Sequence, residues 1–268
     1  MKIVISESQY NRLIETEKKP KILEFPSLEF FDNDPFEAWN IIQKILQRKG
    51  NPPYSIDGDL MFHKIDYNPV SIGNLVSIRN LDLSSLPIKE LNSLVRVKED
   101  LYLQYSLIES LPNLEYVGDN LDLKDTLIEF LPKLKHVGGS LGLRNTKIQN
   151  LDSLLSAKSI FLANTPIKTL GNIKFVPGTL NLEETKVEDL RGLEGVGYNL
   201  LASSSPIESL GALKSVAKNL DLSLTKIDSL GKLTYVGGDL NLYDTPLSDR
   251  LTREEILNTV TVVGELWM

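Results

Sequence analysis

The chain has 268 residues and a mass of 30.0 kDa, enough for one large domain or two small ones. Hydrophobic residues make up 41% of it and charged residues 24%, so it can both form a core and cover it. It has no cysteine and two histidines, which excludes disulfides, thiol catalysis, zinc sites with sulfur ligands and multi-histidine metal sites. The net charge of -7 argues against the broad basic surface that nucleic acid requires, so we expect no nucleic acid partner.

The opening segment, MKIVISESQYNRLIE, has an apolar run of only a few residues and becomes polar at Ser6. Such a run is too short for a signal peptide, and no stretch of the chain reaches the ~18 apolar residues of a membrane span. We therefore expect a cytoplasmic protein with no membrane partner. The opening also resembles the N-termini of tailed-phage proteins, a resemblance that implies a virion as an alternative location.

Residues 1–57 follow no repeat and are predicted to form an N-terminal strand and helix segment. Lys2–Ile5 can form a short strand. Ser6 and Gln9 have the spacing of a capping box, which predicts a first helix directly afterwards.

A second helix is predicted between Asp34 and Gly50. Asp34 suits the N-cap, Pro35 suits the first turn, and a glycine commonly ends a helix. The apolar face of this helix would consist of Phe36, Trp39, Ile42 and Ile45. Because the end of a repeat stack exposes apolar side chains, we predict that this face caps the first strand, with a separate binding helix as the alternative.

From Leu81 onward the chain repeats nearly every 20 residues, in the pattern L-x-L-x-x-T-x-I-x-x-L-x-x-L-x-x-V-G-x-x. The step to Ile160 is one residue shorter. With less regular copies at both ends, the L-x-L cores begin at Leu60, Leu81, Leu101, Leu121, Leu141, Ile160, Leu180, Leu200, Leu220, Leu240 and Leu266. This pattern over residues 58–268 resembles the leucine-rich repeat family, with Thr or Ser where that family usually carries Asn after the strand.

No single unit can bury its own apolar columns, whereas stacked units place each leucine against its counterpart in the next unit. The L-x-L alternation directs both leucines inward and the middle residue outward, as in a parallel sheet. The resemblance implies a leucine-rich repeat solenoid, an α/β horseshoe with a parallel β-sheet on its concave face. The remaining residues of each unit are too few for a long helix, so the convex side is predicted to consist of short turns and 3₁₀ pieces.

Two further columns are predicted to support the turns. Hydroxyl side chains follow the cores at Ser106, Thr126, Thr146, Thr165, Thr185, Ser205, Thr225 and Thr245. We predict that they bond turn backbone groups between neighbouring units. Glycines precede the strands at Gly118, Gly138, Gly178, Gly197 and Gly237. We predict that they adopt the left-handed conformation that turns the chain back into the sheet.

The last unit is longer, with 26 residues from Leu240 to Leu266. Thr252 and Glu255 have capping-box spacing, which predicts a helix through Leu257. The edge of the final strand would carry unpaired backbone groups. We predict that it pairs with a second copy of the chain or with a foreign strand.

Motifs for catalysis are missing from the sequence, which has no P-loop, no dinucleotide-binding glycine motif and no nucleophile elbow. His63 lies in the irregular first unit and His136 in a predicted convex turn, so neither is expected to belong to a triad. The Asp57-Gly58-Asp59 loop offers two carboxylates without further ligands, which is typical of an ordinary turn. We therefore predict no enzyme activity, no metal site and no cofactor.

The predicted concave face carries nine carboxylates against two bases, Lys124 and Arg144, with aromatic residues among them. The candidate partner-binding residues are Asp82, Tyr102, Tyr105, Asp122, Asp125, Phe161, Glu183, Glu184, Asp221, Asp239, Tyr243, Asp244 and Trp267. Carboxylates steer lysine and arginine while aromatic rings provide burial, so the pattern favours a basic protein partner. A face that only keeps the sheet soluble has the same pattern.

These features together predict a non-enzymatic scaffold for protein–protein interaction. The opening residues favour a phage virion component or host-contact protein as an alternative. Repeats of 20 residues also resemble those of secreted bacterial effectors, which implies a second alternative. Such an effector would lack a catalytic domain here, because the ligase domain of that group uses a cysteine.

Overall fold

The computed structural model describes residues 21–26, 35–62, 69 and 71–268. The predictions for Lys2–Ile5, the first helix, Asp34 and His63 fall outside these residues, as does the opening that resembles phage proteins. The described residues form a solenoid of parallel strands around one apolar core.

Most of the strands are only two or three residues long. In chain order they are β1 (Leu23–Phe25), β2 (Tyr54–Ile56), β3 (Asp59–Met61), β4 (Leu75–Ile78), β5 (Asn80–Asp82), β6 (Arg96–Val97), β7 (Leu101–Tyr102), β8 (Tyr116–Val117), β9 (Leu121–Asp122), β10 (His136–Gly142), β11 (Ser156–Phe161), β12 (Phe175–Val176), β13 (Leu180–Asn181), β14 (Gly195–Val196), β15 (Leu200–Leu201), β16 (Ser215–Val216), β17 (Leu220–Asp221), β18 (Tyr235–Val236), β19 (Leu240–Asn241), β20 (Thr261–Val262) and β21 (Leu266–Trp267).

One continuous parallel ladder contains the L-x-L cores, and we call it the leucine ladder. Its strands are β3, β5, β7, β9, β10, β11, β13, β15, β17, β19 and β21. The register places each core leucine beside its counterpart, as with Leu81 and Leu101, and both are fully buried. The predicted parallel stacking of the L-x-L strands is confirmed.

A second parallel ladder, the valine ladder, occupies the part of each unit that was predicted as turns and 3₁₀ pieces. Its strands are β1, β2, β4, β6, β8, β10 and β11, followed after a break by β12, β14, β16, β18 and β20. Each short strand has one inward residue, such as Val97 or Val117. The predicted short turns are present on either side of these strands, but the prediction misses the strands themselves, because a strand with one inward residue shows no alternation in the sequence.

The break in the valine ladder lies between β11 and β12, where the repeat is one residue shorter. In the next turn, the N–H of Gly197 donates to the carbonyl of Val176 at 2.8 Å. The corresponding residue at the break is Pro177, which has no N–H to donate. This unit is shorter because it has one residue fewer between Ala157 and Ile160 than its neighbour has between Val137 and Leu141. Strand β11 consequently runs through both ladders without interruption.

Helix α1 (Pro35–Arg48) packs onto the same core at its N-terminal end. Its buried side chains are those of Ala38, Trp39, Ile42 and Leu46. The Trp39 ring meets Phe62, just after β3, edge to face at 5.4 Å between centroids. The predicted apolar face is confirmed at Trp39 and Ile42, whereas Ile45 is only half-buried and Leu46 takes its place. The side chain of Phe36 lies outside the described residues.

Two short helices, α2 (Pro246–Arg250) and α3 (Arg253–Leu257), fill the longer last unit. The capping box predicted for α3 is confirmed. The N–H of Glu255 donates to the Thr252 hydroxyl, and the N–H of Thr252 donates to the Glu255 carboxylate at 2.8 Å.

The last strand, β21, is contacted by Arg253 of α3. The carbonyls of Glu265 and Trp267 accept hydrogen bonds from β19, so the carbonyl of Leu266 points away from the ladder. Arg253 Nη1 donates to that carbonyl at 2.7 Å. Pairing of this edge with another strand stays a prediction, and it would require Arg253 to move.

The glycines at the corners before the leucine strands do not adopt the left-handed conformation, so that prediction is wrong. They are small because successive turns approach closely there. A Cβ at Gly118 would lie 1.8 Å from the carbonyl oxygen of Lys98, and one at Gly138 would lie 1.9 Å from that of Gly118. The constraint is the space between turns, and not backbone torsion.

The hydroxyl column is buried, as its spacing predicts, but its hydrogen bonds differ from the prediction. Thr146 Oγ1 donates to the Leu143 carbonyl at 2.7 Å, and Thr165 Oγ1 donates to that of Leu162 at the same distance. Each acceptor therefore belongs to the same turn and not to the neighbouring unit. The hydroxyls of the column, with the exception of Ser106, close the turn that follows their own leucine strand.

Candidate binding surface

All thirteen candidate residues lie along the leucine ladder, in four columns set by its register. The outward middle positions of the strands hold Asp82, Tyr102, Asp122, Phe161, Asp221 and Trp267. The position directly after the strand core holds Glu183 and Tyr243. The next position holds Tyr105, Asp125, Glu184 and Asp244, and the position before the first leucine holds Asp239.

Carboxylates in the outward column close the ends of their own strands. Asp82 Oδ1 accepts the N–H of the residue two positions later at 2.9 Å, and Asp122 and Asp221 do the same at 3.0 Å. This Asx geometry explains why short acidic residues recur at the outward position. These three carboxylates contribute negative charge to the face but are held by the backbone.

Asp239 belongs to a ladder of side chains that joins successive turns. Its Oδ1 accepts the N–H of Glu265 at 2.8 Å, while its own N–H donates to Asn219 Oδ1 at 3.0 Å. Asp100 and Asn120 make the corresponding contact at 2.9 Å. The hydrogen bonds between neighbouring units, which we predict above for the hydroxyl side chains, are therefore made by this column.

The third column has left-handed backbone, with φ of 61° at Tyr105, 56° at Asp125 and Glu184, and 55° at Asp244. A positive φ suits Gly, Asn or Asp and is costly for a bulky side chain. Leu224 stands in the same column with φ of 59° and is 51% exposed, and it was not among the candidates. The signal was present in the sequence, since Leu224 is the only aliphatic residue directly before a hydroxyl of the column.

Aromatic side chains of this face project into solvent. Tyr243 is 62% exposed, Trp267 57%, Tyr105 53% and Phe161 37%. Tyr102 is half-buried, and burial raises the pKa of its hydroxyl.

One of the two bases on this face is engaged by its neighbours. Lys124 Nζ donates to the Tyr105 hydroxyl at 2.8 Å, and this hydrogen bond raises the pKa of Lys124. The ammonium also lies 3.8 Å from Asp125. Arg144 is exposed.

The register brings several of the candidates together in two clusters. Tyr102 and Asp122 pair directly, and Tyr105 joins them through Lys124. At the other end Asn241 pairs with both Asp221 and Trp267, and the N–H of Leu224 donates to the Tyr243 carbonyl. Gly142 separates Asp122 from Phe161 in the outward column. The structure thus places an acidic and aromatic cluster towards each end of the face, and Phe161, Glu183 and Glu184 lie between the two clusters.

Outward side chains of the valine ladder form a stacked column that the sequence did not predict. The guanidinium carbon of Arg96 lies 3.8 Å from the centroid of the Tyr116 ring, which stacks on His136 at 5.1 Å. His136 Nδ1 lies 2.6 Å from Ser156 Oγ. His136 is therefore in strand β10 and not in a turn, and its neighbours hold the ring in place.

Within the described residues, no three His, Asp or Glu side chains converge on a common point where a metal ion could bind. None of the helices described above is long and apolar enough to cross a bilayer. Comparison of the chain with protein-family models, with curated proteins and with solved structures gave no match.

Proposed function

We propose that this protein is a non-enzymatic scaffold that binds a basic protein through the leucine-ladder face. The observation that carries the proposal is the exposure of Tyr105, Tyr243 and Trp267 beside carboxylates on that face. Large aromatic side chains left in solvent are typical of interface hot spots, where their burial provides most of the binding energy.

The carboxylates would provide orientation and fast encounter. In the column with left-handed backbone, which we call the left-handed column, Asp244 stands next to the exposed Leu224 and Glu184 stands two turns before it. Exposed charges mainly steer a partner, and their effect decays over ~10 Å at 0.1 M salt. A lysine-rich or arginine-rich surface with apolar anchors matches this arrangement.

The fold assignment within this proposal is a leucine-rich repeat solenoid with α1 as its N-terminal cap. The L-x-L ladder and the repeat length support the family resemblance. Burial of Trp39 against Phe62, immediately after the first leucine strand, supports the cap. A stack with such a cap can present an open sheet face without exposing its terminal leucines.

A non-enzymatic role agrees with the openness of the face. The candidate side chains stand on a sheet surface and not around an enclosed cavity, whereas acid–base catalysis requires a pocket that holds the substrate and excludes water.

The test is a selection of displayed random peptides on the immobilised full chain, followed by affinity measurements on the enriched peptides. We expect enriched peptides with net positive charge. Changing Glu183→Lys together with Glu184→Lys should weaken their binding about tenfold and reduce its salt dependence. The matched control is Glu129→Lys with Glu188→Lys, which makes the same change of charge at exposed positions away from this face.

The aromatic contribution is tested with Tyr243→Ala and Trp267→Ala, which should also weaken binding. Two results would contradict the proposal. The first is a set of enriched peptides with no net positive charge. The second is a set of enriched peptides that bind the Glu183/Glu184 variant as tightly as they bind the control variant.

A further inference from the structure

The C-terminal half of the valine ladder has a charge opposite to that of the whole chain. Four successive turns present residues 172–178, 192–198, 212–218 and 232–238 on this side. These segments contain four lysines and one glutamate, whereas the chain as a whole has a net charge of -7. The fold therefore gathers basic residues on one surface of an acidic protein.

Lysines in these segments surround the single carboxylate. Lys214 Nζ donates to Glu194 at 2.6 Å, and this hydrogen bond is the main reason that the pKa of Glu194 is lowered. The N–H of Glu194 donates to the Lys174 carbonyl at 2.7 Å, so Lys174 stands in the turn before Glu194, and Lys232 lies in the turn after Lys214. The charges of both lysines lower the pKa of Glu194 further. With Lys214 paired to Glu194, the charges of Lys174 and Lys232 remain to attract an anion.

Aromatic rings lie among these lysines. Phe175, Gly195, Ser215 and Tyr235 follow one another in the outward column. Gly195 is buried although its position faces outward, because the Phe175 ring covers it: a Cβ there would lie 3.2 Å from two ring carbons. Phe175 is nevertheless 55% exposed and Tyr235 41%. The sheet thus presents aromatic surface to solvent beside ammonium groups.

We call Lys174, Phe175, Lys214, Lys232 and Tyr235 the lysine–aromatic patch, and we propose that it binds single-stranded nucleic acid. This proposal goes against the expectation of no nucleic acid partner that was drawn from the net charge of -7, because the net charge does not reveal that the fold gathers lysines on one surface. Bases would stack on the two rings while the lysines contact phosphates. Lysine binds phosphate as a compact point charge, and the exposed rings of Phe175 and Tyr235 offer flat surfaces on which bases stack. An acidic protein would need no such stacking surface, so the two rings favour nucleic acid as the partner. The proposal does not depend on the leucine-ladder face.

The test is fluorescence anisotropy of a labelled oligothymidylate of about 16 nucleotides, titrated with the full chain at about 50 mM salt. We expect an apparent Kd between about 1 and 100 µM that weakens with salt. Lys174→Glu with Lys232→Glu should weaken binding at least about tenfold. The control pair, Lys147→Glu with Lys186→Glu, changes the charge equally at exposed positions outside the patch and should have little effect.

Stacking is tested separately with Phe175→Leu, which keeps an apolar cover over Gly195 but removes the ring. We expect binding about fivefold weaker or more, with an unchanged unfolding midpoint. A labelled polyglutamate peptide serves as the acidic-protein probe and should bind more weakly than the oligonucleotide.

Three results would overturn the proposal. The first is no anisotropy change at about 100 µM protein. The second is an equal loss of binding in both lysine pairs, which would indicate diffuse electrostatic attraction. The third is polyglutamate binding as tight as that of the oligonucleotide, which would indicate an acidic protein partner instead.

Discussion

Two serines of the hydroxyl column provide a matched test of what that column does for stability. Ser205 and Ser106 occupy equivalent turns and are 2% and 3% exposed. Ser205 Oγ donates to the Ala202 carbonyl at 2.5 Å, whereas Ser106 Oγ is buried and has no hydrogen-bond partner in the part of the chain that the structure describes. Ser205→Ala and Ser106→Ala thus remove the same atom from equivalent buried positions, with and without a hydrogen bond.

The expected magnitude follows from what remains after the substitution. The Ala202 carbonyl also accepts the N–H of residue 205 at 3.3 Å, so it keeps one donor when the hydroxyl is lost. The cost of Ser205→Ala should therefore be that of one hydrogen bond, about 0.5 to 1.5 kcal/mol, and not the larger cost of an orphaned carbonyl. Ser106→Ala removes an unsatisfied buried group, so it should be neutral or stabilising.

The measurement is urea unfolding of both variants and the wild type, monitored by circular dichroism. Ser205→Ala should lower the midpoint without changing the slope, and Ser106→Ala should not lower it. Thr146→Val, which removes a hydroxyl with little change of shape, should resemble Ser205→Ala at about 1 kcal/mol. Equal destabilisation by the two serine variants would refute the hydrogen-bond explanation and leave packing as the role of the column.

Three further predictions concern the corners and one ion pair. Gly118→Ala should destabilise the chain by more than about 2 kcal/mol because its Cβ meets a carbonyl of the preceding turn, whereas Gly192→Ala, with open space at its Cβ, should be tolerated in the same unfolding assay. Leu224→Asn should raise the unfolding midpoint, because Asn accepts a positive φ more readily; a lowered midpoint would argue against strain there. Glu194 has a lowered pKa, so its pair with Lys214 contributes stability above the ordinary pKa of a glutamate and loses it as the pH falls through the lowered pKa. Lys214→Met should return the pKa of Glu194 toward its ordinary value in an NMR titration, and an unmoved pKa would exclude this pair as the cause.

The sequence predicts the leucine ladder well because each L-x-L strand carries two inward residues. The pattern around Leu121 and Leu123 shows alternation and recurs in register, and both side chains are fully buried. The valine ladder could not be predicted from the sequence because a strand such as Tyr116–Val117 has a single inward residue. One apolar residue per turn is compatible with either a strand or a turn.

Contacts between successive turns explain the remaining differences between the predicted and the observed structure. Gly118 is required by the distance to a carbonyl in the preceding unit, which no local pattern reveals. The left-handed column holds residues as different as Tyr105, Glu184 and Leu224, so composition does not mark it. The candidate residues therefore lie along the leucine ladder, as the L-x-L spacing predicts, whereas the roles of their carboxylates in strand-end turns depend on geometry that the spacing does not reveal.

The left-handed column also bears on whether the leucine-ladder face binds a partner or only keeps the sheet soluble. A solubilising face would gain both stability and polarity from Asn or Asp at these positions, as at Asn145 and Asp125. Tyr105 and Leu224 do the opposite, because a left-handed conformation costs a bulky residue about 1 to 2 kcal/mol and both side chains are more than half exposed. Backbone strain combined with exposed apolar surface is typical of residues held for recognition. A solubilising surface alone does not explain these two residues, whereas the proposed binding of a partner would bury both side chains.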